Sequence, residues 1–195
     1  MNEVVLDLET KKSFQDVGGR NGHHLLGVSV AGVYSYRDDS WRAFEERELG
    51  ELELLLKSAD RIIGFNIRDF DMPVLAPYVR TPIRDFPILD LMRAVEEALG
   101  FRMALANLAV HTIGAAKSAS GLDALQWWKE GKIDLIKEYC LQDVRVTRDL
   151  YEFGKQHGHV FCKTRDSRMV KIPVAWKPSF VVKQHHNPYV QQGIF

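Results

Sequence analysis

Four acidic residues and one tyrosine carry the side chains that metal-assisted hydrolysis needs. They are Asp7 and Glu9 in "VVLDLET", Asp71 in "GFNIRDFDMPVL", and Tyr139 and Asp143 in "EYCLQDV". Carboxylates that converge on one point repel one another unless a cation neutralises them. Oxygen-only ligands suit Mg²⁺ or Mn²⁺ better than zinc, and two such ions about 4 Å apart suit hydrolysis of a phosphodiester. The residue types therefore predict a divalent-metal centre.

Asp7 and Glu9 flank Leu8, the last residue of an apolar segment, residues 3–8, that predicts a buried strand. Side chains alternate along a strand, so both carboxylates lie on one face while Leu6 and Leu8 point to the other. Acidic pairs of this kind also occur on exposed strand edges, and the pair alone does not choose between the two interpretations.

Asp71 follows a short predicted strand and begins a predicted helix. A carboxylate in the first turn is favoured by the helix dipole, and Phe70 beside it is suited to the core. Asp69 competes with Asp71 as a ligand, and the Phe-Asp pairing favours Asp71. The alternative is that Asp69 or Asp71 only caps the helix.

Tyr139 and Asp143 are four residues apart in a predicted helix, so they share a face. A tyrosine hydroxyl there is placed to hold a water against a metal that Asp143 binds. The alternative is an amphipathic helix whose tyrosine serves packing. The occurrence of all three segments in this order supports the metal centre.

The rest of the sequence predicts an α/β domain with a mixed sheet and helices on its faces. Predicted strands are residues 3–8, 25–30, 32–36, 61–64 and 88–89. Predicted helices are residues 71–79, 91–99, 104–112, 124–130 and 133–153, with another in the second half of 41–57. Residues 159–164 and 169–174 predict a β-hairpin, followed by an extended tail.

The composition is that of a water-soluble globular domain, with 46% hydrophobic and 27% charged residues among 195. No apolar run is long enough to span a bilayer, and the start lacks a signal-peptide pattern, so we expect a cytoplasmic protein with no membrane partner. Cys140 and Cys162 lack the spacing of a metal or redox motif, which argues against zinc-ribbon and disulfide-rich classes.

Charge is unevenly distributed along a chain whose formal net charge is zero. Residues 155–195 carry a net charge of +6, and residues 1–154 carry −6. A basic segment beside an acidic body suits a metal-dependent nuclease that holds its polyanion partly through that segment. The alternative is a solvated surface hairpin.

The order D-x-E, N-x-x-x-F-D, Y-x-x-x-D resembles the three motifs of the DEDD superfamily of 3′→5′ exonucleases, and the tyrosine resembles its DEDDy branch. The stretches "IIGFNIRDFDMPVL" and "SGLDALQWWKEGKIDLIKEYCLQDVRVTRDLYEFG" are similar to the bacterial YprB-like, ribonuclease H-like exonucleases. Proofreading domains of family-B DNA polymerases are relatives of that group.

The resemblance implies an α/β, ribonuclease H-like fold. Its mixed central sheet would combine three antiparallel strands with parallel strands, flanked by helices. The exonuclease domain would cover residues 1–175, including a C-terminal β-hairpin at about 159–174, and residues 176–195 would form an extended tail.

The resemblance also assigns roles in the site. The ligands of two Mg²⁺ or Mn²⁺ ions would be Asp7, Glu9, Asp71 and Asp143. Tyr139 would orient the nucleophilic water or help to deprotonate it. The residues that would seat the terminal nucleotide are Leu8, Thr10, Asn66 and Phe70.

The activity implied is 3′→5′ hydrolysis of single-stranded DNA or of 3′ ends, releasing nucleoside 5′-monophosphates. Three alternatives stay open: an RNA-trimming exoribonuclease, a non-catalytic nucleic-acid-binding module, and a proofreading subunit that works with a polymerase.

The last five residues, Gln191–Phe195, resemble the short peptide by which bacterial replication proteins dock on the sliding clamp. An extended tail would place Ile194 and Phe195 in a hydrophobic pocket of the clamp. Because such short matches arise easily by chance, clamp binding is a hypothesis for this chain.

Overall fold

A five-stranded mixed sheet organises the chain in a computed structural model that describes residues 1–115 and 120–177. The strands are β1 (Glu3–Thr10), β2 (Val28–Ser35), β3 (Ser40–Glu45), β4 (Arg61–Gly64) and β5 (Ile88–Asp90), in the order β3-β2-β1-β4-β5. Strands β1, β2 and β3 pair antiparallel, whereas β4 runs parallel to β1 and to β5. The predicted mixed sheet is confirmed.

Helices connect and cover these strands. The described ones are α1 (Leu49–Ser58), α2 (Asp71–Leu75), α3 (Leu91–Leu99), α4 (Leu105–Ile113), α5 (Gly121–Lys129) and α6 (Ile133–His157). In the described part of the chain, no helix combines the length and the apolar character needed to cross a bilayer.

The two faces of β1 contribute to different cores. Leu6 and Leu8 pack with the apolar side of α1 and with α2, and all of these side chains are buried. Val5 faces the opposite way and packs with residues of α3, α4 and α6. Because side chains alternate, Asp7 and Glu9 share the face of Val5 and point toward α6.

Strand β2 corrects one sequence expectation. Residues 25–30 and 32–36 were expected to form two strands, but Val28–Ser35 is one continuous strand, and its antiparallel partner is Ser40–Glu45. Gly32 lies inside this strand, at the point where α6 packs across it. A Cβ at Gly32 would lie 2.9 Å from the sulfur of Cys140.

The predicted C-terminal hairpin is confirmed, as β6 (His159–Lys163) paired antiparallel with β7 (Met169–Pro173). Beyond it, Trp176 is 1% exposed and stacks on Tyr151, with 6.3 Å between ring centroids. Arg61 Nη1 donates to its carbonyl oxygen at 2.7 Å, so the fold includes at least this residue of the predicted tail. Residues 178–195, with the predicted clamp peptide, lie outside the described part.

Candidate metal centre

The end of β1 presents Asp7 and Glu9, both half-buried. Strand β4 pairs only with the first part of β1, Glu3–Val5, and ends at Gly64. The remaining edge of β1 faces the connection from β4 to α2. There the backbone N–H of Leu8 donates to Asp71 Oδ1 at 3.0 Å. The parallel pairing therefore brings the first two acidic segments together.

Helix α6 brings the third segment to the same place. Tyr139 and Asp143 lie one turn apart on this helix and are 5% and 8% exposed. Between them, Cys140 Sγ lies 3.4 Å from the carbonyl oxygen of Asp7 and meets the backbone at Gly32. These small groups at the crossing allow α6 to approach β1 and β2 closely.

Three carboxylates converge where the helix meets the strand. Asp7, Glu9 and Asp143 each offer an oxygen, and these oxygens all lie within 4.8 Å of one another. Negative charges this close repel one another, and a divalent cation bound among them would offset that repulsion by attracting all three. Oxygen ligands of this kind are those that Mg²⁺ and Mn²⁺ prefer, so the donor set fits the expected metal.

Asp71 lines the same pocket but is not a member of the three-carboxylate group. Its side chain is 3% exposed. Burial raises the pKa of Asp71 to about 7, and the hydrogen bond from Leu8 opposes that rise only in part. A cation bound nearby would favour the ionised form.

Asp69, the competing candidate, points elsewhere. Its Oδ1 accepts a hydrogen bond from Arg93 at 2.6 Å, and its Oδ2 accepts one from Arg102 at 2.5 Å. These ion pairs attach the loop before α2 to α3 and to the segment that follows it. Asp69 is thus engaged outside the pocket that Asp71 lines.

Tyr139 sits among the acidic groups. Burial raises the pKa of its hydroxyl well above the usual value, and the charges of Asp143 and Glu9 add to the rise. The ring contacts Trp127 of α5 edge-on, with 6.1 Å between centroids. A phenol in these surroundings stays protonated at neutral pH, so it is a hydrogen-bond donor.

A pocket of about 350 Å³ opens over the carboxylates. All four predicted nucleotide contacts line it, namely Leu8, Thr10, Asn66 and Phe70. Sequence reasoning did not single out its other lining residues, which are Lys12, Ser13, Phe14, Leu26, Phe65, Gly121 and Leu125.

Phe14 is the most informative of the residues that were missed. It comes from the polar loop after β1 and contacts the rings of His23 and Phe70 edge-on, with centroids 4.9 and 5.9 Å apart. A lone aromatic residue in an otherwise polar loop was the available signal. These rings give the pocket an aromatic wall.

Asp90 fixes the loop that carries the pocket residues. It caps α3, with its Oδ1 accepting from the backbone N–H of Met92 at 3.0 Å. The same carboxylate also accepts the backbone N–H groups of Asn66 at 2.9 Å and Arg68 at 3.0 Å. Asn66 has a left-handed backbone with φ +66°, and Asp90 holds this strained turn in place.

The sequence model of the RNase H superfamily matches residues 4–153. Among solved structures, the fold is similar to that of the family B DNA polymerase from the hyperthermophilic archaeon Pyrobaculum calidifontis, with a TM-score of 0.61 and 20% identity. That match covers 79% of this chain but only 24% of the polymerase chain. No curated protein matches this sequence significantly. None of these comparisons supports clamp binding through Gln191–Phe195. With more than half of its length matched by the family model, the chain belongs to the RNase H superfamily and has a nuclease fold.

Proposed function

We propose that this protein is a metal-dependent 3′→5′ exonuclease that acts on single-stranded nucleic acid and releases nucleoside 5′-monophosphates. The observation that carries the proposal is the convergence of Asp7, Glu9 and Asp143 within 4.8 Å. Tyr139 and Asp71 line the same pocket. These five residues are the ones on which the resemblance to DEDDy exonucleases rests.

The proposed ligands of Mg²⁺ or Mn²⁺ are Asp7, Glu9 and Asp143, with Asp71 completing the set for a second ion. When bound, such ions lower the pKa of a coordinated water and neutralise the charge that develops on a phosphodiester. Asp71 suits a role that depends on the cation, because without one its burial favours the neutral acid.

The remaining pocket residues would orient the substrate. Tyr139, which stays protonated, would donate its hydrogen bond to the attacking water and hold it in line with the phosphorus. Phe70 and Leu8 offer apolar surface to the terminal sugar and base, and Thr10 and Asn66 offer polar groups. The side-chain oxygen of Asn66 is buried without a hydrogen-bond partner among the described residues, which suits contact with a nucleotide.

The test is a gel time course on 5′-labelled single-stranded DNA and RNA of one sequence, with Mn²⁺ and with EDTA. We expect a metal-dependent ladder of products that shorten from the 3′ end. The relative rates on the DNA and RNA strands show which sugar is preferred. Asp7→Asn and Asp143→Asn should each abolish the ladder.

Folding of both variants is checked by circular dichroism. Glu51→Gln, in the first turn of α1 on the opposite face of the sheet, is the matched control and should keep full activity. Retained hydrolysis in Asp143→Asn would refute the site. Binding without any ladder in the wild type would favour a non-catalytic module or a subunit that requires a polymerase.

A further inference from the structure

A second cavity of about 930 Å³ lies between the segment that joins α3 to α4 and the turn of the C-terminal hairpin. We shall call it the hairpin groove. Its lining residues are Phe101, Arg102, Met103, Ala104, Asn107, His111 and residues 163–168.

The hairpin groove has a strongly basic lining. Four of its residues are cationic, Arg102, Lys163, Arg165 and Arg168, whereas Asp166 is the single acidic one. Arg102 is paired with Asp69 and Glu96, and Arg168 is paired with Asp166. Lys163 and Arg165 form no ion pair with any described residue. These two cations are available to an anionic ligand.

The two walls of the groove are fixed to each other. Asn107 of α4 accepts from the backbone N–H of Lys163 at 2.9 Å and donates to its carbonyl oxygen at 2.8 Å. Thr112 makes the same kind of double contact with the backbone of Phe161, at 2.9 and 3.0 Å. Helix α4 thereby satisfies the open edge of β6 and holds the backbone of the strand that carries Lys163.

One ion pair links the wall of the groove to the wall of the pocket over the metal centre. Arg102, at its wall, binds Asp69, and Asp69 is the chain neighbour of Phe70 in the wall of the nucleotide pocket. Phe101 beside Arg102 is 46% exposed, which leaves its ring available to a stacking partner. Cations and an exposed ring along a groove are the elements of single-strand binding.

We propose that the hairpin groove binds the sugar-phosphate backbone of the substrate strand upstream of its 3′ end, with Lys163 and Arg165 contacting phosphates. This inference rests on the proposed function for its account of why the strand enters there. It gives the basic C-terminal segment a specific role, because that segment supplies both cations. It also predicts that longer strands bind more tightly than mononucleotide substrates.

The test removes both cations without touching the metal centre. Lys163→Gln/Arg165→Gln is compared with Lys57→Gln/Arg84→Gln, which removes the same charge from exposed positions in α1 and in the turn before β5. Binding of a labelled single strand of about 12 nucleotides is followed by fluorescence anisotropy in EDTA, where hydrolysis cannot interfere.

Each phosphate contact contributes about a fivefold gain in affinity at about 0.1 M salt, so losing two should weaken binding about 25-fold. The slope of log K against log salt should become shallower by about 1.4. The control should bind within about twofold of the wild type. Unchanged affinity in the groove variant would overturn the proposal.

A second measurement separates this inference from the proposed function. Hydrolysis of the p-nitrophenyl ester of thymidine 5′-monophosphate, which reaches only the metal pocket, should be equal in all three proteins. Loss of this activity in the groove variant alone would also overturn the inference, because it would place the two cations in the metal pocket. If the wild type hydrolyses neither this ester nor the labelled strands, the proposed function fails. The anisotropy measurement still shows whether the hairpin groove binds a single strand.

Discussion

Replacing Asp90 should destabilise the protein more than its position outside the metal pocket suggests. Its carboxylate accepts backbone N–H groups from two connections, Met92 and Arg93 at the start of α3 and Asn66 and Arg68 before α2. Asp90→Ala removes the helix cap, at a cost of about 1 kcal/mol. It also leaves two partly buried N–H groups without an acceptor, at about 1 kcal/mol each. The free energy of unfolding should therefore fall by about 3 kcal/mol.

Urea unfolding followed by tryptophan fluorescence measures this loss. With a slope of about 2 kcal/mol per molar urea, the midpoint should fall by about 1.5 M. Asp90→Asn keeps one acceptor oxygen and should lose about half as much. Activity should also fall, because the same carboxylate fixes the loop that carries Asn66 and Asp71.

Asp69→Ala is the matched control, since Asp69 joins the same loop to the same helix. Its partners Arg93 and Arg102 have side chains 48% and 51% exposed, and ion pairs between exposed groups contribute little to stability. The midpoint of this variant should stay close to that of the wild type. A loss in Asp90→Ala below about 1 kcal/mol, or an equal loss in Asp69→Ala, would refute the argument.

Three further variants probe the centre itself. Tyr139→Phe should slow hydrolysis about 10²-fold in single-turnover kinetics, less than Asp143→Asn, because only the positioning of the water is lost. Burial raises the pKa of Asp71 to about 7, so between about pH 4 and pH 7 the metal-free folded protein holds a proton that the unfolded chain has released. The free energy of unfolding measured in EDTA should therefore fall as the pH rises through this range. Asp71→Asn removes the titrating group, so it should make the free energy of unfolding depend less on pH. Gly32→Ala places a Cβ 2.9 Å from Cys140 Sγ, so it should destabilise the fold by about 1–3 kcal/mol and weaken Mn²⁺ binding in calorimetry, whereas unchanged Mn²⁺ affinity would contradict the close crossing of α6.

The features that sequence analysis recovered depend on short-range geometry. Alternation along β1 placed Asp7 and Glu9 on one face, and a four-residue spacing placed Tyr139 and Asp143 on one side of a helix. Both relations hold wherever the elements finally pack. The mixed sheet could be predicted equally well, because the apolar runs in the sequence and the helices between them indicate the class of fold.

The features that were missed depend on packing between distant segments. Asp90 showed only the pattern of a helix cap, and its second role arises because β5 pairs with β4 so that Asp90 lies beside Gly64. Residues 25–30 and 32–36 were predicted as two strands, because a sequence gives no sign that α6 crosses a single strand at Gly32. Phe14 lies in a loop, and a loop has no hydrophobic periodicity from which its path over the pocket could be predicted.

The centre therefore depends on residues that carry no chemistry of their own. The ligands are supplied by three short motifs, but their separation is set by how closely α6 approaches β1. That approach requires a glycine at 32 and a small side chain at 140, since any larger pair would hold Asp143 away from Asp7 and Glu9. Coordination of a small cation tolerates errors of only a few tenths of an ångström.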